Sequence, residues 1–304
     1  MIIVTGGLGF IGNELVRQLK NAGEDVAVLD NRNRVAPAIE DLADIPVYEI
    51  DITDKEKLQE LFMRLQPHTV FHLAAIHYIP ECNDNPERTL RINVEGTQSV
   101  LNAAASAGVK KFLFASSGAV YADSKDPLPE SAPIAPVDIY GWSKLFGEHL
   151  CNLNTALNGT PTIICRLFNN YGPRETNMHI IPEIIKQLRS GNTLMLGNIS
   201  TIRDYIHTQD CARALIKLSG CCTGETKIVN VAHGNGFTVE EMIEKIKTIA
   251  ERPINVITDN SRMRRNDKQT QVADISFLKK LTGWAPETSI EHGLKELLHF
   301  ENII

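Results

Sequence analysis

Short apolar runs rich in β-branched residues alternate with longer stretches of helical periodicity through the first half of the chain. The runs Ile2–Thr5, Val26–Leu29, Val47–Ile50, Val70–Leu73, Phe112–Ala115 and Thr162–Cys165 read as strands. Between them, Ile11–Ala22, Lys55–Leu65, Pro86–Ala107 and Ile139–Leu157 read as helices. Largely apolar strands separated by helices predict an α/β fold with a doubly wound parallel sheet, because a sheet covered on both faces has no polar side. After about Arg166 the rhythm loosens. Asn170-Tyr171-Gly172-Pro173 signals a turn, and helices are predicted over Ile181–Arg189 and Asp210–Leu218. Thr238 reads as the N-cap of a helix ending near Ala250, with Glu241 as its capping-box partner. The polar stretch Asp259–Gln269 reads as a loop. The expected organisation is a larger unit over residues 1–168 and a smaller lobe over 169–304, with a stretch at about 204–232 returning to the larger unit.

Composition changes this picture little. The 304 residues are 43% hydrophobic and 22% charged, with a net charge of −6 and no basic run, so no nucleic-acid partner is expected. No apolar run is long enough for a bilayer, and the N-terminus reads as a first strand rather than a leader, so no membrane association is expected. The six cysteines show no metal spacing and read as reduced thiols, which places the chain in the cytoplasm with no metal.

Two constellations carry chemistry. Gly6, Gly9 and Gly12, with Phe10 and Ile11 between them, follow the first strand and open a helix. Glycines let the backbone approach a pyrophosphate, and the helix N-terminus offers free amides and a partial positive charge. Asp30 ends the second strand, where a carboxylate accepts from adenosine ribose hydroxyls and repels a 2′-phosphate. NAD is therefore expected over NADP, although Arg32 and Arg34 follow closely. Asp51 and Ile52, after the third strand, suit the adenine edge, and Asp51 could equally cap the helix at Lys55. At the other end, Tyr140 and Lys144 lie four apart on one helical face, with Ser117 after a strand. A free phenol ionises near pH ~10, and a neighbouring ammonium and the positive nicotinamide ring both lower that value, so the pair suits proton removal from an alcohol.

TGGLGFIG, HLAA, ASSGAVY, YGWSK, RLFNNYGPR and RDYIH occur in one order along the chain. In that order they resemble the extended short-chain dehydrogenase/reductases of the nucleotide-sugar epimerase and dehydratase group, the UDP-glucose 4-epimerases among them. The resemblance runs from Met1 to Pro286. It implies that Phe10 and Ile11 lie on the pyrophosphate, that Leu73, Ala74, Ala75 and Asn93 lie on the cofactor side, and that Ser117, Tyr140 and Lys144 form the catalytic trio. It implies substrate contacts from Asn169, and a diphosphate clamp from Arg203 and Arg264, whose guanidinium forks suit phosphate oxygens. It places Gln271 beside the sugar C2 substituent. His77 stands near the cofactor ribose, where many relatives carry Lys or Gln. The resemblance also implies a homodimer through the two long helices, with Leu101, Leu145 and Leu153 as seam residues.

Dehydratase relatives carry acids directly after the Ser/Thr of the trio. Here Gly118 and Ala119 stand there, and neither exchanges protons. The resemblance therefore implies reversible C4 oxidation of a nucleotide sugar, with a UDP-hexose expected. A keto-sugar reductase, a dehydratase with displaced acids and a non-catalytic NAD-binding regulator are the alternatives.

Overall fold

The computed structural model describes residues 1–33, 42–175, 177–263 and 268–304. Six strands follow one another in the first half: β1 (Ile2–Thr5), β2 (Val26–Asp30), β3 (Val47–Glu49), β4 (Thr69–His72), β5 (Lys111–Ser117) and β6 (Thr162–Leu167). Helices α1 (Phe10–Asn21), α2 (Lys55–Leu65), α3 (Ile79–Asp84), α4 (Pro86–Leu90), α5 (Thr97–Ser106) and α6 (Ile139–Asn158) lie between them. The second half adds β7 (Asn169–Tyr171), α7 (Ile180–Ser190), β8 (Thr193–Leu196), β9 (Ile202–His207), α8 (Thr208–Gly220) and β10 (Lys227–Val231). It ends with β11 (Gly236–Thr238), α9 (Val239–Ala250), β12 (Asn255–Thr258), β13 (Thr270–Gln271), α10 (Ser276–Thr282) and α11 (Ile290–Phe300).

Seven parallel strands form the main sheet in the order β10-β6-β5-β4-β1-β2-β3, a doubly wound α/β arrangement. Side chains alternate between its faces. Ile2, Val4, Val26, Val28, Leu113 and Ile163 pack on one side, with Leu15 and Val16 of α1 and Cys211 and Leu215 of α8. Ile3, Ala27, Leu29, Phe112, Phe114 and Ile164 pack on the other, with Phe62 of α2, Val100 of α5 and Cys151 of α6. Because both faces are dry, both phases of each strand are apolar, which is the pattern read from the sequence. A Cβ at Gly147 would stand 2.4 Å from the Phe114 ring, so glycine there lets α6 sit directly on β5. A third core joins α7, α9 and α11 around β8 and β9.

Strand and helix positions agree with the pattern to within about two residues. The stretch Pro86–Ala107 departs from it. It is α4, a widened π-helical turn over Arg91–Gly96, and then α5. A period of 3.6 does not register one wide turn. That turn holds Asn93, whose carboxamide brackets the Ile76 backbone at 2.8 Å on both sides. The capping box at Thr238 and Glu241 forms as read. The helix at Lys55 is capped by Asp54, not Asp51: the Asp54 carboxylate accepts from Lys57 N, one helical turn in.

Candidate active site

The C-terminal ends of the strands open into a cleft of about 1050 Å³ that reaches from the main sheet to β9 and β13. One end is built by β1, α1 and β2. Gly6 has φ 69°, a conformation few other residues adopt. A Cβ at Gly12 would stand 2.1 Å from the Gly6 carbonyl oxygen, so the turn closes only on glycine. Gly9 caps α1 with no side-chain bond, which leaves the first amides of the helix, at Phe10, Ile11 and Gly12, facing the cleft. An uncapped N-terminus on such a turn fits a pyrophosphate.

Asp30 is buried beside this turn and accepts from Leu8 N at 3.1 Å and Arg32 N at 2.8 Å. Burial pushes its carboxyl up, and those two bonds oppose the shift. Arg32 pairs with Glu49 at 3.4 Å. Arg34 lies outside the described residues. Ile52, Leu73, Ala74 and Ala75 line the same end. Asp51 and Asn93 do not line the cleft; each acts one layer behind it. Asp51 accepts from Thr53 N at 2.9 Å and from Asn31 Nδ2 at 3.1 Å, and Asn31 is the residue that faces the cavity.

A buried polar chain fixes this wall from behind. The Ala74 N–H donates to Thr5 Oγ1 at 3.3 Å, and Thr5 bonds His72 Nδ1 at 2.7 Å. His72 Nε2 meets Thr97 Oγ1 at 3.0 Å, and Thr97 donates to the Asn93 carbonyl at 2.7 Å. Since Thr97 spends its hydrogen on Asn93, its bond from His72 requires the proton on Nε2, and Thr5 donates to Nδ1. Burial drops the His72 pKa to about 3, which keeps the ring neutral. Asn93 Nδ2 also donates to Ser143 Oγ at 3.0 Å, and Ser143 donates to the Tyr140 carbonyl at 2.7 Å. The phosphate-side strand and the helix bearing Tyr140 are thus joined by one hydrogen-bond path.

Ser117, at the end of β5, and Tyr140 and Lys144, on the first turns of α6, meet at the middle of the cleft. Asp138 caps α6 through Gly141 N at 2.8 Å. Lys144 is buried and donates to the Ala115 carbonyl at 2.8 Å, with its ammonium 5.9 Å from the Tyr140 ring centre. Burial lowers its pKa to about 8, which leaves it mostly charged at neutral pH. Ser117 Oγ accepts from Ala119 N at 3.1 Å, and its hydroxyl acts on the neighbouring Tyr140 phenol in the direction of a lower pKa. Burial raises the phenol well above its ordinary value, against the lowering effect of Ser117. The lowered phenol expected from sequence therefore requires a further positive charge beside it, which the protein alone does not supply.

The far wall comes from the second half. Asn169 on β7, Arg203 on β9 and Gln271 on β13 all line the cleft. Gln271 pairs with Arg203 in register, so the parallel strands set these two side by side. Gln271 Nε2 donates to the Gly118 carbonyl at 2.8 Å. Arg264 lies outside the described residues. Arg262 lines the cleft and pairs with Glu183 at 2.8 Å and Asp259 at 3.2 Å. His77 lines the cleft and bonds Asn177 Nδ2 at 2.8 Å, with the His179 ring 5.6 Å away. Asn177, His179 and Lys268 are cleft residues that sequence reasoning missed. They follow irregular backbone, where no period marks which side chain turns inward.

These features define the class. The chain belongs to the NAD-dependent epimerase/dehydratase family, whose profile matches residues 2–232. Among its relatives, a UDP-glucose 4-epimerase of Streptomyces lividans is 32% identical, over 93% of this chain and 91% of its own length. A GDP-6-deoxy-D-mannose reductase of Pseudomonas aeruginosa is 31% identical, over 98% and 95%. The crystal structure of a UDP-glucose 4-epimerase from Thermotoga maritima with UDP-glucose superposes with a TM-score of 0.90 at 29% identity, covering 99% of this chain and 98% of that one.

Proposed function

We propose that the protein is an NAD-dependent nucleotide-sugar 4-epimerase acting on a UDP-hexose. The observation that carries this reading is the joint placement of Ser117, Tyr140 and Lys144 in one cleft with the uncapped α1 N-terminus, on a turn whose next residues, Gly118 and Ala119, bear no acid. NAD, when bound, supplies the reversible oxidation at C4. Phe10, Ile11 and Gly12 hold its pyrophosphate, and Asp30 takes the adenosine ribose. Tyr140 removes the C4 hydroxyl proton and later returns it, with Ser117 holding the same oxygen and Lys144 favouring the phenolate. Arg203 and Asn169 hold the diphosphate while the keto sugar turns its other face. The division into a cofactor-binding unit and a substrate lobe belongs to the same proposal.

Incubation with UDP-, GDP-, TDP- and CDP-hexoses, with products separated as isomers, tests this. C4 isomers without net dinucleotide consumption are expected. The reductase relative favours a second reading, in which a 4-keto sugar is reduced and dinucleotide is consumed in step with product. Conversion of substrate only with such consumption would replace the first reading by the second.

Helix α6 carries Trp142, Phe146, Leu153 and Leu157 on one exposed stripe, at 45%, 44%, 53% and 73% exposure. A second copy of the chain suits that stripe. Leu101 is buried in the core and cannot belong to such a seam, whereas Leu153 can. A dimeric mass by sedimentation, reduced to monomer by Phe146→Glu, is expected. A monomeric parent would remove the dimer.

A further inference from the structure

Lys268 is buried at 8% exposure and reaches the cleft beside Gly118 and Ala119. Its ammonium donates to the Ala119 carbonyl at 2.8 Å and to the Tyr121 carbonyl. The same residue 119 donates its N–H to Ser117 Oγ at 3.1 Å. Lys268 therefore grips one end of the Ala119 peptide pair while Ser117 takes the other. Neighbouring bonds bind the same two segments: Gln271 to the Gly118 carbonyl at 2.8 Å, Thr270 N to Asp123 at 3.0 Å, and Leu128 N to the Val272 carbonyl at 2.8 Å.

We propose that Lys268 is a positioning residue for the acid–base pair, acting through Ala119 on Ser117 and through Ser117 on Tyr140. The carbonyl grip fixes the turn, the turn aims Ala119 N–H at Ser117 Oγ, and an oxygen that accepts there keeps its own hydrogen for the phenol. A donated hydrogen stabilises the phenolate. Burial depresses the Lys268 pKa, and Asp138 opposes this. The charged and titratable groups facing this relay are Lys144, Cys82 and Asp138 around Tyr140, and Asp138, Arg203 and Asp123 around Lys268. No spacing in the sequence marks Lys268, since its partners lie 147 and 149 residues away.

The inference rests on Tyr140 as the acid–base group, so its test reads the phenol directly. Tyr140 ionisation is followed in the NAD complex by ultraviolet difference absorbance against the matching Tyr140→Phe protein, in the parent, Lys268→Met and Lys268→Gln. Loss of the grip should raise the phenol midpoint by about one pH unit in Lys268→Met. Lys268→Gln, which keeps amide donors and loses the charge, should show a smaller rise of about half a unit and carries the test if the Met variant does not fold. A higher midpoint leaves less phenolate at a given pH, so the alkaline-rising limb of kcat should move to higher pH by the same amount. KM should change less than about twofold. Midpoints equal to the parent in the folded variants, or a loss confined to KM, would overturn the proposal. Retained turnover in Tyr140→Phe with Lys268 intact would instead remove the acid–base reading, while the titration still reports on the relay.

Discussion

The two walls of the cleft are built differently. The wall formed by β1, β4, β5 and α6 is held by polar groups that satisfy one another deep in the fold: Thr5, His72, Thr97, Asn93 and Ser143 form one path, and Glu148 and Arg166 form a second. Glu148 lies one turn beyond Lys144 on α6. It meets Arg166 Nη2 at 2.7 Å and Nε at 2.9 Å, and accepts from Ser116, the neighbour of Ser117, at 2.5 Å. On the opposite wall, the Asn170 Oδ1 that lines the cleft is buried with no protein hydrogen-bond partner. Asn169 on β7 is exposed, and Arg203 on β9 and Gln271 on β13 are partly exposed. A buried, mutually paired network of this kind admits one geometry, whereas side chains that face the cleft from more exposed positions are held less tightly. The first arrangement suits groups that must meet reacting atoms to within a fraction of an ångström; the second suits a surface that must accept a substrate in more than one pose.

This contrast can be broken by substitution. The largest effect is expected from Glu148→Ala. It strands the Arg166 guanidinium, 3% exposed, without its carboxylate. A loss of about 3–5 kcal/mol in unfolding free energy should follow, as for other buried pairs cut on one side. Denaturant melts measure it, and a loss under ~1 kcal/mol would show that the network is not what fixes α6. Next, Tyr140→Phe should keep stability and NAD binding while turnover falls by at least ~10²-fold. Activity within a few-fold of the parent would remove Tyr140 from the chemistry. The smallest effect is expected on the opposite wall. Arg203→Met should leave the melt within ~0.5 kcal/mol of the parent and weaken nucleotide-sugar binding by about 10–100-fold, the loss of a charged hydrogen-bond donor to phosphate. A stability loss as large as that of Glu148→Ala would erase the distinction between the walls.

How legible each wall was in the sequence follows the same line. Ser117, Tyr140 and Lys144 were readable because a strand end and a helical i,i+4 spacing place them by local geometry. The glycine turn was readable because a tight approach admits few residue types. Asp51 and Asn93 were read as cofactor neighbours; their side chains bond Thr53, Asn31, Ile76 and Ser143, contacts that no local spacing marks. His72 was visible only as part of a motif. Its role as a bridge depends on Thr5 and Thr97, which are 67 and 25 residues away.

By itself the sequence determined the doubly wound sheet, its strand and helix positions, and the local pairs that suit a dinucleotide and an alcohol proton. Those features are periodic or short-range, so hydrophobic patterning and backbone sterics suffice to specify them. Only the tertiary structure decided that Arg203 and Gln271 stand in register on neighbouring strands, that Lys268 grips the turn carrying Ser117, and that Tyr140 is raised rather than lowered by its protein surroundings. Each of these depends on contacts between segments far apart in the chain and on the burial those contacts create, and neither distance nor desolvation is written in local residue order.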